Sequence, residues 1–326
     1  MANSSYGKIY KLNKGIILNK KIGIVGVGNV GSSLAYSIAT NSLCDEVLLK
    51  DIRDDFIQAL SLDITQASLN TNSKTKVKAC IKNEDFNSCD IVVITAGIAR
   101  KPNMSREDLL FTNAKIMNSI LDDILPLNPN AIFIIVSNPL DAMVYSALQK
   151  SKLPRNRVFG MAGALDSARF KYYISQKLNF DYTKIDAIVI GSHSNSMLPL
   201  IKRVKVDDKN LVDILNQKEL DEILENTKNG GAKIVELLKT GSAYFAPAFN
   251  TYLMCKAILN DEKEIFSCSV KLEGEYGYND ISIGVPVILG KNGIDKILEL
   301  TLDNEEKDLF EKSIQTVKSS INILNK

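Results

Sequence analysis

The chain predicts an α/β fold: a doubly wound parallel sheet in the first half, followed by an α+β unit. Two observations carry this. Short, β-branched apolar runs alternate with helical patterns up to about residue 160, and strands that read as continuously apolar belong to sheets covered on both faces. Beyond residue 160 the rhythm changes to isolated strands and long helices. The predicted units are a polar arm over 1–20, a first domain over 21–160 and a second over 161–326.

In the first half, strands are expected at 22–27, 46–51, 76–81, 91–95 and 131–136, with helices at 29–40 and 107–124. The second half opens with a helix at 165–178. A strand then runs into Gly191, another covers 197–206, and a long helix spans 218–239. Adjacent Gly230 and Gly231 predict a break or kink in that helix. Strands follow at 264–272 and 281–289. The last helix opens on a capping box, Asp303 with Glu306, and buries Phe310, Ile314, Val317, Ile321 and Leu324 at helical spacing.

Composition bounds the function. With 326 residues, 45% hydrophobic and 24% charged, the chain can bury a core in each of two domains. The formal charge of +2 conceals an asymmetry: Lys8, Lys11, Lys14, Lys20 and Lys21 lead the chain without an acid among them, so the body is slightly acidic. That balance argues against nucleic acid as a partner. The leading segment has no arginine and only Ile16, Ile17 and Leu18 as an apolar cluster, and is read as an arm, not a signal or transit peptide. No run of 18 apolar residues suggests a membrane span. Cys44, Cys80, Cys89, Cys255 and Cys268 are widely spaced and read as reduced thiols packed as small hydrophobes, in a cytoplasmic setting.

The first expected strand runs into Gly26-Val27-Gly28-Asn29-Val30-Gly31, a G-x-G-x-x-G opening a helix. Gly26 permits the tight turn, Gly28 lets a pyrophosphate approach the backbone, and Gly31 allows the helix to pack closely on the strand. The second strand ends at Asp51, 20 residues after Gly31, where a carboxylate can accept hydrogen bonds from both ribose hydroxyls. A carboxylate there repels a 2′-phosphate, so NAD is expected over NADP, in a Rossmann domain. The plainer reading of Asp51 is a turn or cap residue. Competing motifs fail: Gly290-Lys291 is followed by Asn292, not the Ser/Thr of a P-loop, and a chain with one histidine cannot build a zinc-protease helix. No metal site is expected.

That one histidine, His193, lies in Gly191-Ser192-His193-Ser194-Asn195 after an apolar run. Imidazole is the side chain whose ordinary pKa lies near neutrality, so a neutral-pH acid/base is drawn from it first. Upstream are three further segments: Thr95-Ala96-Gly97-Ile98-Ala99-Arg100-Lys101-Pro102-Asn103-Met104-Ser105-Arg106, Val136-Ser137-Asn138-Pro139-Leu140-Asp141, and Gly160-Met161-Ala162-Gly163-Ala164-Leu165-Asp166-Ser167-Ala168-Arg169-Phe170. With the glycine fingerprint they resemble the lactate/malate dehydrogenase family, nearest its lactate-dehydrogenase-like malate enzymes. The resemblance runs from about residue 20 to the end, through Gly241-Ser242-Ala243-Tyr244-Phe245 and Gly274-Glu275-Tyr276-Gly277.

The resemblance implies NAD-dependent interconversion of malate and oxaloacetate, with an NAD-binding first domain and a substrate-binding, catalytic second domain. His193 matches the family's base and Asp166 the carboxylate that holds its tautomer. Arg169 matches the arginine that grips the C1 carboxylate through two parallel hydrogen bonds. Arg106 matches the loop arginine that polarises the C2 oxygen once the loop closes. Asn138 can bond both substrate and cofactor. Thr95, Ala96, Gly97, Asn113, Val136 and Ser137 match cofactor contacts. Arg100 carries the substrate choice: the family's malate enzymes place arginine there for the second carboxylate, its lactate enzymes typically glutamine. A homotetramer or homodimer of the cytoplasm, serving the tricarboxylic acid cycle, is also implied.

The chain departs from the family pattern around its base, where Gly-Gly-His-Gly-Asp is usual. If Ser192 or Ser194 stands where the backbone needs positive φ, the turn is strained and the imidazole shifts. Asn195 in place of a carboxylate removes a negative charge, which lowers the imidazole pKa. Asn103 stands where a loop glycine is usual. The alternatives are a lactate or broader 2-hydroxyacid dehydrogenase, and a non-catalytic NAD-binding homologue.

Overall fold

The computed structural model describes residues 19–99 and 104–325. The arm therefore falls outside the described residues up to 18, as do Arg100 and Asn103. The first half alternates strand and helix: β1 (Lys21–Val25), α1 (Asn29–Thr40), β2 (Glu46–Lys50), α2 (Asp54–Leu69), β3 (Lys76–Ala79), β4 (Ile91–Ile94), α3 (Arg106–Ile124), β5 (Ile132–Ile135), α4 (Leu140–Ser151) and β6 (Val158–Met161). The second half adds α5 (Gly163–Leu178), β7 (Ile185–Asp186), β8 (Val189–Ile190), β9 (Leu198–Pro199), β10 (Lys205–Val206), β11 (Lys209–Asn210), α6 (Gln217–Leu238), α7 (Phe245–Leu259), β12 (Glu264–Glu273), β13 (Asn279–Gly290), β14 (Gly293–Ile297) and α8 (Asn304–Leu324).

Six strands pair in parallel in the order β3-β2-β1-β4-β5-β6, the doubly wound arrangement expected. β12, β13 and β14 then extend the same sheet antiparallel, β12 pairing with β6 through Cys268 with Met161 and Ser269 with Gly160. Both halves thus share one nine-stranded sheet. Apart from Lys21 at its start, β1 is apolar and buried, as is all of β4, because helices cover both faces. One face packs on α1, α7 and α8 and the other on α3 and α4, while a third cluster joins α5 to α6. All five cysteines are buried and unbridged.

Two expectations are corrected. The run 197–206 is not one strand: β9 stops at Pro199, which has no N–H to continue a ladder, and a 3₁₀ turn over Ile201–Arg203 separates it from β10. Likewise 185–190 splits into β7, paired with β10, and β8, paired with β9. The second correction concerns α6, which passes through Gly230 and Gly231 without interruption. Its glycines serve packing: a Cβ on Gly230 would sit 3.3 Å from the Tyr173 ring, and one on Gly231 3.3 Å from the Arg169 guanidinium. The terminal capping box forms as expected, with Glu306 N–H donating to Asp303 Oδ1 at 2.9 Å and Asp303 N–H to Glu306 Oε2 at 3.0 Å.

Candidate active site

β1 ends in a left-handed turn at Gly26, φ +86°, where any Cβ would collide with the backbone of Ala96. A Cβ on Gly31 would in turn strike the Gly26 carbonyl. Gly28 differs. It is exposed, with negative φ, and nothing of the protein lies within 4 Å of where its Cβ would be. Packing does not demand glycine there, whereas a ligand lying against that backbone does. Gly28 is also the N-cap of α1 and provides no side-chain cap, so the first N–H groups of the helix stay open toward the same space. The residues present therefore fit a pyrophosphate.

Asp51 follows β2 and is tied to this turn by the Val27 N–H, which donates to Oδ2 at 2.8 Å. Burial alone raises its pKa, but the Arg53 guanidinium, 2.9 and 3.1 Å from the two oxygens, and the Val27 N–H hold it below the ordinary value. Arg53 itself lies 4.0 Å over the Phe56 ring. A cleft of about 890 Å³ runs between Gly28, Asp51, Ile52, Gly97, Ile98 and Ile116. Ile52 is 98% exposed at its wall, an apolar surface suited to a planar base. Ile52 and Arg53 were not anticipated; an isoleucine directly after Asp51 was the available signal.

The loops after β4 and β5 are braced against each other. Thr95 Oγ1 donates to the Gly26 carbonyl at 2.5 Å, and Ser137 Oγ to the Ala96 carbonyl at 2.5 Å. Val136 N–H continues the ladder to the Ile94 carbonyl at 2.9 Å. Asn113, on α3, is buried; it accepts from Ile98 N–H at 2.9 Å and donates to the Ile98 and Asn138 carbonyls at 3.2 and 2.7 Å. Its amide holds Asn138, whose side chain is exposed at the head of α4.

α5 presents Asp166 and Arg169 on one face, three residues apart, and Asp166 is 1% exposed. A buried carboxylate must be paired. Its partners are Arg169 Nη1 at 3.2 Å and His193 Nδ1 at 2.8 Å. An ionised carboxylate only accepts, so Nδ1 carries the hydrogen and Nε2 is the nitrogen available to take a proton. Burial lowers the His193 pKa, yet the charge of Asp166, its hydrogen bond and the charge of Asp141 outweigh burial and the opposing Arg169, leaving it raised.

The His193 turn is unstrained. Only Gly191 in it has positive φ, +89°, so the serines stand where any residue fits. Ser192, Ser194 and Ser196 close a triangle of hydroxyl contacts at 2.7, 2.8 and 2.9 Å. Ser192 N–H donates to Ser313 Oγ at 2.6 Å and Ser196 Oγ to Thr316 Oγ1 at 3.1 Å, both on α8. Beneath the turn, Asp141 accepts the His193 backbone N–H at 2.9 Å. The sequence motif assigns Asp141 no role; an acid inside the apolar opening of α4 is the signal it offers. Arg106 begins α3, exposed behind the Ser105 N-cap, and among the described residues no hydrogen bond or ion pair joins it to Asp166, Arg169 or His193.

Residues 20–160 match the model of the lactate/malate dehydrogenase NAD-binding domain, and residues 163–326 that of the family's alpha/beta C-terminal domain. The chain belongs to the lactate/malate dehydrogenase family. A malate dehydrogenase of Aliarcobacter butzleri is 58% identical over 94% of this chain and 98% of its own length. Among solved structures, malate dehydrogenase of Cryptosporidium parvum superposes with TM-score 0.91 at 40% identity, over 94% of this chain and 99% of that one. The lactate dehydrogenase of the same organism, solved with lactic acid and nicotinamide adenine dinucleotide, gives 0.92 at 37%, over 95% and 99%. The fold of this family therefore does not separate the two substrates. Among the described residues no group of acids, cysteines and histidine could hold a metal ion, and no helix is long and apolar enough to cross a membrane.

The packing of Gly231 on Arg169 yields a test of that guanidinium. Gly231→Ala should add helix stability of about 1 kcal/mol while forcing Arg169 to give by a few tenths of an ångström. The expected result is an unchanged or higher Tm with a several-fold higher KM for the keto acid; an unchanged KM would separate Arg169 from substrate binding.

Proposed function

We propose that this chain is an NAD-dependent malate dehydrogenase that interconverts malate and oxaloacetate, residues 21–160 holding the cofactor and residues 161–326 the substrate and the proton chemistry. The observation that carries it is the buried Asp166–His193 pair at 2.8 Å with Arg169 against the same carboxylate. Its high identity to a malate dehydrogenase supports the same reading.

Bound NAD supplies the hydride acceptor. His193 Nε2 takes the hydroxyl proton from malate, and Asp166 fixes the tautomer and stabilises the imidazolium that results. The raised pKa keeps that imidazolium populated for the reverse direction. Arg169 grips the C1 carboxylate, Asn138 and Arg106 bond the C2 oxygen, and Arg100 meets the second carboxylate. Gly26, Val27, Gly28, Asn29, Val30 and Gly31 cradle the pyrophosphate, Asp51 selects the ribose of NAD over that of NADP, and Thr95, Ala96, Gly97, Val136 and Ser137 wall the nicotinamide side, with Asn113 bracing them. We also infer a cytoplasmic homo-oligomer, dimer or tetramer. Unbridged buried cysteines and exposed apolar side chains such as Leu62, Leu237 and Phe245 support it.

Steady-state oxidation of NADH with oxaloacetate and pyruvate side by side tests the assignment. The expected kcat/KM for oxaloacetate exceeds that for pyruvate by about a thousandfold or more. Equal or better use of pyruvate overturns it.

A further inference from the structure

Asp141 is a carboxylate to which the chemistry above gives no contact with substrate or cofactor. It is the second residue of α4, 7% exposed, three positions beyond Asn138. Both of its oxygens are engaged: Oδ2 by the His193 backbone N–H at 2.9 Å, and Oδ1 by the Ser269 hydroxyl at 2.7 Å. Gly160 lets β12 bring Ser269 there, since a side chain at 160 would run into Val144 and Ser269. A neutral acceptor would have satisfied a backbone N–H and a hydroxyl equally well. Placing a charge in so buried a position costs several kcal/mol, and that cost points to a cation it can face.

The cation is the His193 imidazolium. The charged groups around it are Asp166 and Arg169 from α5 and Asp141 from α4, and both carboxylates act in the direction that favours the proton on the ring while Arg169 opposes. Asp166 reaches His193 through the ring and Asp141 through the backbone. They arrive from different elements, and Asp141 arrives on the helix whose preceding residues include Asn138.

We propose that Asp141 is a positioning residue for His193: it anchors the backbone of the histidine turn and, through its negative charge, supports the protonated imidazole as a second carboxylate behind Asp166. The inference rests on His193 as the proton carrier. Burial pushes Asp141 up to about 6, against the hydrogen bonds from Ser269 and His193. Its charge is thus present at neutral pH and lost in mild acid, so the support for His193 fades in that same range.

Because His193 is the only histidine, the imidazole signals of protein labelled with ¹³C-histidine report this one ring. Asp141→Asn keeps the size and an acceptor oxygen for the His193 N–H, while the Ser269 hydroxyl can turn to accept from the new amide. The expected result is a His193 titration midpoint lower by about one pH unit. The alkaline limb of kcat/KM for oxaloacetate reduction moves down with it, because reduction needs the protonated ring, and the Kd for NADH stays unchanged. A midpoint that does not move overturns the proposal. Should the asparagine variant not fold, Ser269→Ala carries the test. It leaves the charge and the His193 contact but removes a hydrogen bond to the ionised form, so the acid-side inflection that Asp141 imprints on the His193 signal shifts to higher pH. An inflection that is absent or unmoved overturns the proposal equally. The titration reads the coupling of Asp141 to His193 whether or not His193 is the base, so failure here is distinct from failure of the assigned reaction.

Discussion

His193→Asn should bind NADH as the parent does and lose turnover of oxaloacetate by about a thousandfold or more. Asparagine fills much of the same space and can still hydrogen-bond Asp166, so the turn, held by its own backbone bonds to Asp141 and Ser313, keeps its shape. What disappears is the one imidazole of the chain, together with its hydrogen bond to the Asp166 carboxylate 2.8 Å behind it. No second histidine can substitute. The measurement is kcat and KM against oxaloacetate beside a fluorescence titration with NADH. A rate close to that of the parent would mean that another group moves the proton.

Replacing Arg100 by glutamine should transfer preference from oxaloacetate toward pyruvate, reducing the ratio of their kcat/KM values by about a thousandfold. The physical ground is asymmetric. A buried carboxylate without a countercharge costs several kcal/mol, and a buried guanidinium facing a methyl group is penalised in the same way. Glutamine relieves the second penalty and imposes the first. Arg100 lies outside the described residues, so the expectation stands on its place in the sequence Arg100-Lys101-Pro102 and on the family to which the chain belongs. A ratio unchanged in that variant would remove Arg100 from substrate choice.

Strands were legible where burial was simplest. The runs at 22–27, 91–95 and 131–136, and Val47–Leu49 within 46–51, are dominated by apolar residues because helices cover both faces, and each strand appears within two residues of its expected end. α2 was not read: Phe56, Leu62 and Leu69 are exposed beside buried Ile57 and Ile64, so its apolar residues do not form one stripe. The glycines of α6 misled for a related reason. Propensity weighs Gly230 and Gly231 as breaks, and only the arrival of Tyr173 and Arg169 from α5 shows them as clearance. Around the histidine, substituting serines for glycines suggested strain, but the left-handed position falls on Gly191. The glycine turn and Asp51 were read from type and spacing, and the roles expected of Asp166, Arg169 and His193 from the family resemblance of their motifs. Residues that act through a backbone atom, as Asp141 and Ser313 do, were not read, because nothing local in the sequence says which distant N–H a carboxylate or hydroxyl will meet.

Paired across β12 and β6, Cys268 with Met161 and Ser269 with Gly160 stitch the half that holds Gly28 and Asp51 to the half that holds Asp166 and His193, within one continuous sheet. The two halves are thus held together by backbone hydrogen bonds as well as by side-chain packing. The glycine turn ends β1 in that sheet, and the histidine turn is tied to it where Gly191 and Gly284 of β13 exchange backbone hydrogen bonds at 2.8 and 3.0 Å. Because that shared sheet crosses the boundary between the halves, heating should melt them together, with coincident far- and near-ultraviolet circular dichroism transitions as the measurement.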